Sequence, residues 1–215
     1  MDKFYEKQAA LCEAGKAMYH SGLVAGTWGN LSVRVDDEYC VVTPSGMDYD
    51  TLVPEDMVIM RMADYHTGSK RRPTIEYAMH CMLLRTRPEI NAVVHTHSTY
   101  ALTAAAVGLE VPSICDDQVQ ILGGSLKVSK RALAGTFEMA EAVVEAIKDR
   151  AGCLVSSHGA VTLGRSLNEA LAAAQVLEKT CKVWVSSQAF GGCRVIADDE
   201  VRAMRDYFLN KYGQR

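Results

Sequence analysis

No apolar run in this 215-residue chain approaches the roughly 20 residues that a helix needs to cross a bilayer. The opening segment, Met1-Asp2-Lys3-Phe4-Tyr5-Glu6-Lys7, is too charged for the apolar region of a secretory signal. Nor is there a basic excess: 23 Lys and Arg stand against 26 Asp and Glu, a net charge of −3, so no positive field points to nucleic acid. CxxC pairs are missing as well. The seven cysteines, at 12, 40, 81, 115, 153, 181 and 193, are scattered and odd in number. They read as buried thiols filling the core of a protein kept in a reducing, cytoplasmic compartment, not as a disulfide frame. Internal repeats, low-complexity segments and linkers are lacking too, which predicts one domain over 1–215. No lysine sits inside an apolar strand, which argues against a Schiff-base enzyme.

What the chain does have is an alternation of helical and extended patterns. Phe4, Leu11, Ala14 and Met18 predict a helix from about Asp2 to His20, with Gly22 closing it. The Gly-rich turn Gly26-Thr27-Trp28-Gly29-Asn30 leads into a predicted hairpin, strands Leu31–Val35 and Tyr39–Thr43 around Asp36-Asp37-Glu38. A turn at Pro44-Ser45-Gly46, a strand at Met57–Arg61 and a polar loop over Thr67–Arg72 follow. A helix is predicted after Pro73, ending before Pro88, then a strand over Ala92–His97 and a small-residue helix over about Thr99–Ala106. In the second half, Phe137, Ala140, Val144 and Ile147 mark an amphipathic helix, and Cys153–Ser157 a strand that delivers His158 at its end. Ser166-Leu167-Asn168-Glu169 reads as a capping box opening a long helix with Leu167, Ala170, Ala174, Leu177, Cys181 and Trp184 as its stripe. A last helix covers about Asp198–Leu209. The pattern predicts an α/β sandwich whose central sheet is mainly antiparallel and flanked by helices.

The chemistry concentrates in Val93-Val94-His95-Thr96-His97. Residues two apart in a strand face the same side, so both imidazoles address one spot, and burying two unpaired imidazoles is costly. That makes His95 and His97 metal-ligand candidates where a lone histidine would be read as structural. His158 adds a third imidazole beside Gly159, a residue that permits close approach. Glu76 and His80 lie four apart on one helix face. Alone, Glu76 would be read as a surface acid, and His80 is read as a supporting or packing residue. Three histidines and a carboxylate suit a tetrahedral divalent ion such as zinc. His20 and His66 fall near element ends and are read as solvated. The two glycine turns offer backbone N–H groups that can cradle a phosphate, although most such turns only join strands, and neither is a Walker loop or a dinucleotide fingerprint.

Five segments in order resemble the class II aldolase/adducin family: GTWGNLSVR (26–34), TPSG (43–46), Glu76 ahead of AVVHTHS (92–98), SHG (157–159) and KYG (211–213). The resemblance is nearest to the L-fuculose-1-phosphate aldolase branch and covers almost the whole length. It implies zinc bound by Glu76, His95, His97 and His158, with Glu76 also serving as acid/base. It implies substrate phosphate held by Gly29, Asn30, Ser45, Gly46 and Thr74, and catalytic roles for Tyr212 in the tail and for Asp116 or its neighbour Asp117. The implied assembly is a homotetramer with active sites between subunits, and the implied substrate is a phosphorylated sugar: a ketose 1-phosphate cleaved to dihydroxyacetone phosphate and a small aldehyde such as lactaldehyde. The chain departs from the branch in two places. Ile75 stands where the second of two serines is expected, and Cys115-Asp116-Asp117 where a tyrosine is expected. The same scaffold serves sugar-phosphate 4-epimerases and 3-oxo-sugar-acid phosphate decarboxylases. Glu76 speaks against the epimerase, whose corresponding ligand is an aspartate, and Asp116 mildly for it. A non-catalytic adducin-like module fits less well, because the ligand set is complete.

Overall fold

The structure is a computed structural model that describes residues 2–214. Six strands form one sheet: β1 (Asn30–Arg34), β2 (Tyr39–Val42), β3 (Val58–Arg61), β4 (Ala92–Thr96), β5 (Gly152–Val155) and β6 (Gly159–Gly164). Their order is β3-β2-β1-β4-β6-β5, and every neighbouring pair is antiparallel. Six α-helices accompany it: α1 (Lys3–His20), α2 (Tyr77–Thr86), α3 (Thr99–Val107), α4 (Phe137–Ile147), α5 (Leu167–Ser187) and α6 (Asp198–Lys211), the last packing on the turn at 118–122.

Strand alternation sorts the core into two faces. Cys40, Val42, Val93, Val161 and Leu163 pack with Met79 and Leu83 of α2 and with Met139 and Val143 of α4. Leu31, Val33, Val41, Ala92 and Val94 turn to the other side, against Leu11 and Met18 of α1 and Ala170 and Ala174 of α5. A third cluster joins Leu154 and Ala160 to α3, to α5 and to a single π-turn at Gln118–Leu122. The mainly antiparallel sandwich expected from the sequence is the one observed.

The differences lie in the connections. β4 ends at Thr96, so His97 stands just beyond the strand. β5 stops at Val155, and Ser156-Ser157-His158 form a tight turn with Ser157 at φ +53°. The chain then returns at once as β6, which the sequence reading leaves out: GAVTLG is buried along its whole length and shows no polar alternation. The capping box is half made. Ser166 Oγ accepts from the Glu169 N–H, but the Glu169 carboxylate accepts from the backbone and guanidinium of Arg165 and not from the cap.

Candidate metal centre and active site

The site is a product of strand period and register. In β4, Val93 faces α2, so His95 two residues on does too. In β1, Leu31 and Val33 face α1, so Asn30 and Ser32 face α2. The register sets Asn30 directly opposite His95. Opposite both, Glu76 immediately precedes α2; its side chain caps no backbone N–H and turns into the site, and α2 carries the fully buried His80 one turn later. The tight turn after β5 supplies His158. A Cβ at Gly159 would overlap the Thr96 carbonyl oxygen, so glycine is what lets this turn close against β4. Gly29, at φ +79°, brings the first glycine turn against the His95 carbonyl in the same way.

Four side chains converge here. Nε2 of His95 is 2.9 Å from Nε2 of His97 and 3.1 Å from Nε2 of His158. Oε1 of Glu76 is 2.7 Å from His158 Nε2, and Oε2 is 3.1 Å from His95 Nε2. The three imidazoles form a group that could hold a metal ion. His95 Nδ1–H donates to the Ala160 carbonyl at 2.9 Å, so its Nε2 presents a lone pair. That lone pair and the ionised Glu76 oxygen are both acceptors, and a cation between them resolves the contact. With metal–ligand bonds of ~2.0–2.1 Å, the edge of a tetrahedron is ~3.4 Å, close to the separations seen. The donor set therefore fits a divalent ion.

Electrostatics agree. Burial works to raise the Glu76 carboxyl, but His95, His158 and the Asn30 amide outweigh it and hold it well below the usual carboxylate range. Burial, reinforced by the neighbouring imidazoles, lowers His97 to about 3, and burial lowers His95 as well. For Glu76, His95 and His97 the shifts favour the deprotonated form that binds a metal.

A cavity opens beside this cluster, lined by both glycine turns, by Thr74, Ile75 and Glu76, by His97 and His158, and by Ala134. The turn at 43–46 is tied to the segment before α2 by Ser45 N–H to the Arg72 carbonyl (3.0 Å) and Thr74 N–H to the Thr43 carbonyl (2.9 Å). Gly29, Asn30, Ser45, Gly46 and Thr74 all reach this cavity. Asn30, however, is buried and its side-chain amide is committed to Glu76 and His80. The Ser45 N–H is likewise taken, which leaves its hydroxyl toward the opening. Trp28, 64% exposed, rests on the His97 ring at 5.7 Å and with Ile75 and Ala134 makes one wall apolar.

Two expected residues are not brought to this cavity. Tyr212 follows α6, is 60% exposed and packs on Phe208. Asp116 is exposed, while Asp117 accepts from the Gln118 N–H and pairs with Lys179. Neither lines the pocket around Glu76. The side chains that the sequence did not place were Ser32 and Asn30 as partners of His80; their period-two spacing was visible, but not which helix they faced.

Comparison with known proteins agrees with this geometry. The model of the class II aldolase and adducin N-terminal domain matches residues 9–185. The chain is 32% identical over 202 residues to a 5-deoxy-D-ribulose 1-phosphate aldolase of Bacillus thuringiensis serovar kurstaki, covering 94% of each chain. It is 31% identical to a 5-methylthioribulose-1-phosphate/5-deoxyribulose-1-phosphate aldolase of Rhodospirillum rubrum, covering 94% of this chain and 90% of that one. A solved L-fuculose 1-phosphate aldolase superposes with a TM-score of 0.91 at 28% identity, covering 95% of this chain and 96% of the other. From its strands to its histidine cluster, the chain belongs to the class II aldolase and adducin N-terminal domain family, on the side of its metal-dependent aldehyde-lyases.

Proposed function

We propose that this protein is a zinc-dependent aldolase that reversibly cleaves a terminally deoxygenated ketose 1-phosphate into dihydroxyacetone phosphate and a small aldehyde. The observation that carries the reading is the convergence of Glu76, His95, His97 and His158 at 2.7–3.1 Å beside a cavity flanked by two glycine turns. A 5-deoxyribulose 1-phosphate, the substrate in the names of both curated relatives, would give acetaldehyde; L-fuculose 1-phosphate would give lactaldehyde. Both carry a methyl terminus, and the apolar surface of Trp28 and Ala134 suits it.

In the reaction the bond between C3 and C4 breaks, a proton leaves the C4 hydroxyl and a proton arrives at C3, so atoms and charge balance. When bound, the divalent ion supplies a Lewis acid for the ketose oxygens and offsets the negative charge that cleavage leaves on the three-carbon half. Glu76 moves the proton at C3, and its Oε1, the oxygen not held by Asn30, is the atom placed to do so. The phosphate lies toward the Ser45 hydroxyl, Gly46 and Thr74. Tyr212, exposed and away from its own cavity, acts at the aldehyde end of a neighbouring subunit's site within a homotetramer, and Asp116 faces the same junction.

The test is to incubate the zinc-loaded protein with 5-deoxyribulose 1-phosphate and with L-fuculose 1-phosphate, with and without a chelator, and to measure dihydroxyacetone phosphate. Chelator-sensitive release from either supports the reading. Release of carbon dioxide from an oxo-acid phosphate, or interconversion of pentulose 5-phosphates without release, would move it to the decarboxylase or the epimerase.

A further inference from the structure

Behind Glu76 runs a buried chain of polar groups that points one way. Ser32 Oγ lies 2.8 Å from His80 Nδ1, His80 Nε2 lies 2.6 Å from Asn30 Oδ1, and Asn30 Nδ2 donates to Glu76 Oε2 at 2.8 Å. Ser32 and His80 are completely buried and Asn30 nearly so. The directions follow from what each atom can do. An ionised Glu76 only accepts, so Asn30 must present Nδ2 to it and Oδ1 to His80. His80 must then carry its proton on Nε2, which leaves Nδ1 to accept from the Ser32 hydroxyl. Every donor in the chain therefore faces the carboxylate. The carboxylate sets which way the Asn30 amide faces, and the His80 Nε2–H, with Nδ1 engaged by Ser32, locks Asn30 Oδ1 in that orientation. With the amide reversed, Oδ1 would meet Glu76 Oε2, acceptor against acceptor, between two almost fully buried side chains.

We propose that His80, acting through Asn30, is a positioning residue that fixes the Glu76 carboxylate in the orientation its proton transfer requires. The proposal rests on the reading of Glu76 as the acid/base of an aldolase. It assigns function to a residue that touches neither the proposed metal nor the cavity: His80 is absent from the cavity's lining, and both its ring nitrogens are engaged inside the fold.

The experiment uses the zinc-loaded protein and two rates. One is cleavage of 5-deoxyribulose 1-phosphate. The other is exchange of solvent deuterium into dihydroxyacetone phosphate added alone, which reads proton transfer at C3 without any aldehyde. His80→Leu is expected to lower kcat and the exchange rate together by ~10–100-fold, with KM within about threefold and zinc content as in the wild type. His80→Gln, whose amide nitrogen falls near the position of Nε2, is expected to restore both rates to within about fivefold of the wild type. Ser32→Ala, a small change one bond further back, is expected to cost ~3–10-fold, and with His80→Gln it decides the matter if His80→Leu does not fold. Wild-type rates in Ser32→Ala and His80→Leu, a glutamine no better than leucine, or activity lost only in proportion to lost zinc would overturn the proposal. A wild-type protein that neither exchanges deuterium nor cleaves would instead remove the functional reading, and the positioning role with it.

Discussion

Ile75 stands at the cavity with its side chain 59% exposed, where the family resemblance leads one to expect a hydroxyl. Its neighbour Thr74 is buried, and Thr74 Oγ1 accepts from the Glu76 N–H. The phosphate therefore loses one donor relative to a two-serine cradle. Ile75→Ser should lower KM for the ketose 1-phosphate by ~3–10-fold and leave kcat nearly unchanged, because a bond to a phosphate made equally in the ground and transition states is uniform binding. Steady-state kinetics check this, and an unchanged KM would place the phosphate elsewhere. His80 makes a second residue-scale prediction. Burial first, and the neighbouring His95 second, lower it from 6.5 to about 3. An unfolded chain takes up this proton near pH 6.5 and the folded one does not until about pH 3, so acid favours the unfolded state throughout that window. Between pH 7 and pH 5 this one group should remove about 2 kcal/mol from the stability of the metal-free protein. Urea unfolding at both pH values should show His80→Leu losing less than the wild type by that amount.

Much of the site is an element-scale property, and that decides how legible it was. His95 and His97 could be paired from sequence because i and i+2 share a side in any strand, and the pairing survives although β4 ends one residue before His97. Glu76 and His80 could be placed on one helix face by their spacing, though Glu76 proves to be the residue preceding α2 and not part of it. The meeting of Asn30 and Ser32 with His80 was not legible, because it depends on the register of β1 against β4 and on which face α2 covers. β6 was missed for a related reason: a strand buried on both faces carries no period-two signal. The turn between β5 and β6 nonetheless fixes His158, and Gly159 is its tightest point. Gly159→Ala would force a Cβ into the Thr96 carbonyl. It should destabilise the protein by about 3 kcal/mol and weaken zinc binding, since His158 must shift with the backbone. Calorimetry and metal analysis test this, and a variant with wild-type Tm and zinc content would contradict the described packing.

At the scale of the whole molecule, the cavity and its four convergent side chains are complete within one chain, but the tail is not brought to it. Tyr212 and the apolar side chains of Trp28 and Leu133 are well exposed, which fits an assembly in which neighbours cover them. No helix among the described residues is long and apolar enough to cross a membrane. If Tyr212 serves a neighbour's site, a mixed oligomer of His95→Ala and Tyr212→Phe subunits should recover activity that neither variant has alone, because some junctions combine an intact metal site with an intact tyrosine. Co-expression with two purification tags measures this; absence of recovery in a confirmed hybrid would put Tyr212 outside catalysis. The central claim, that Glu76, His95, His97 and His158 hold the metal that cleavage requires, is tested most directly by titrating zinc into metal-stripped protein while following dihydroxyacetone phosphate release. The account predicts no release at the start, a linear rise and a break at one zinc per chain, with no rise in His95→Ala. Full release before any metal is added would contradict it.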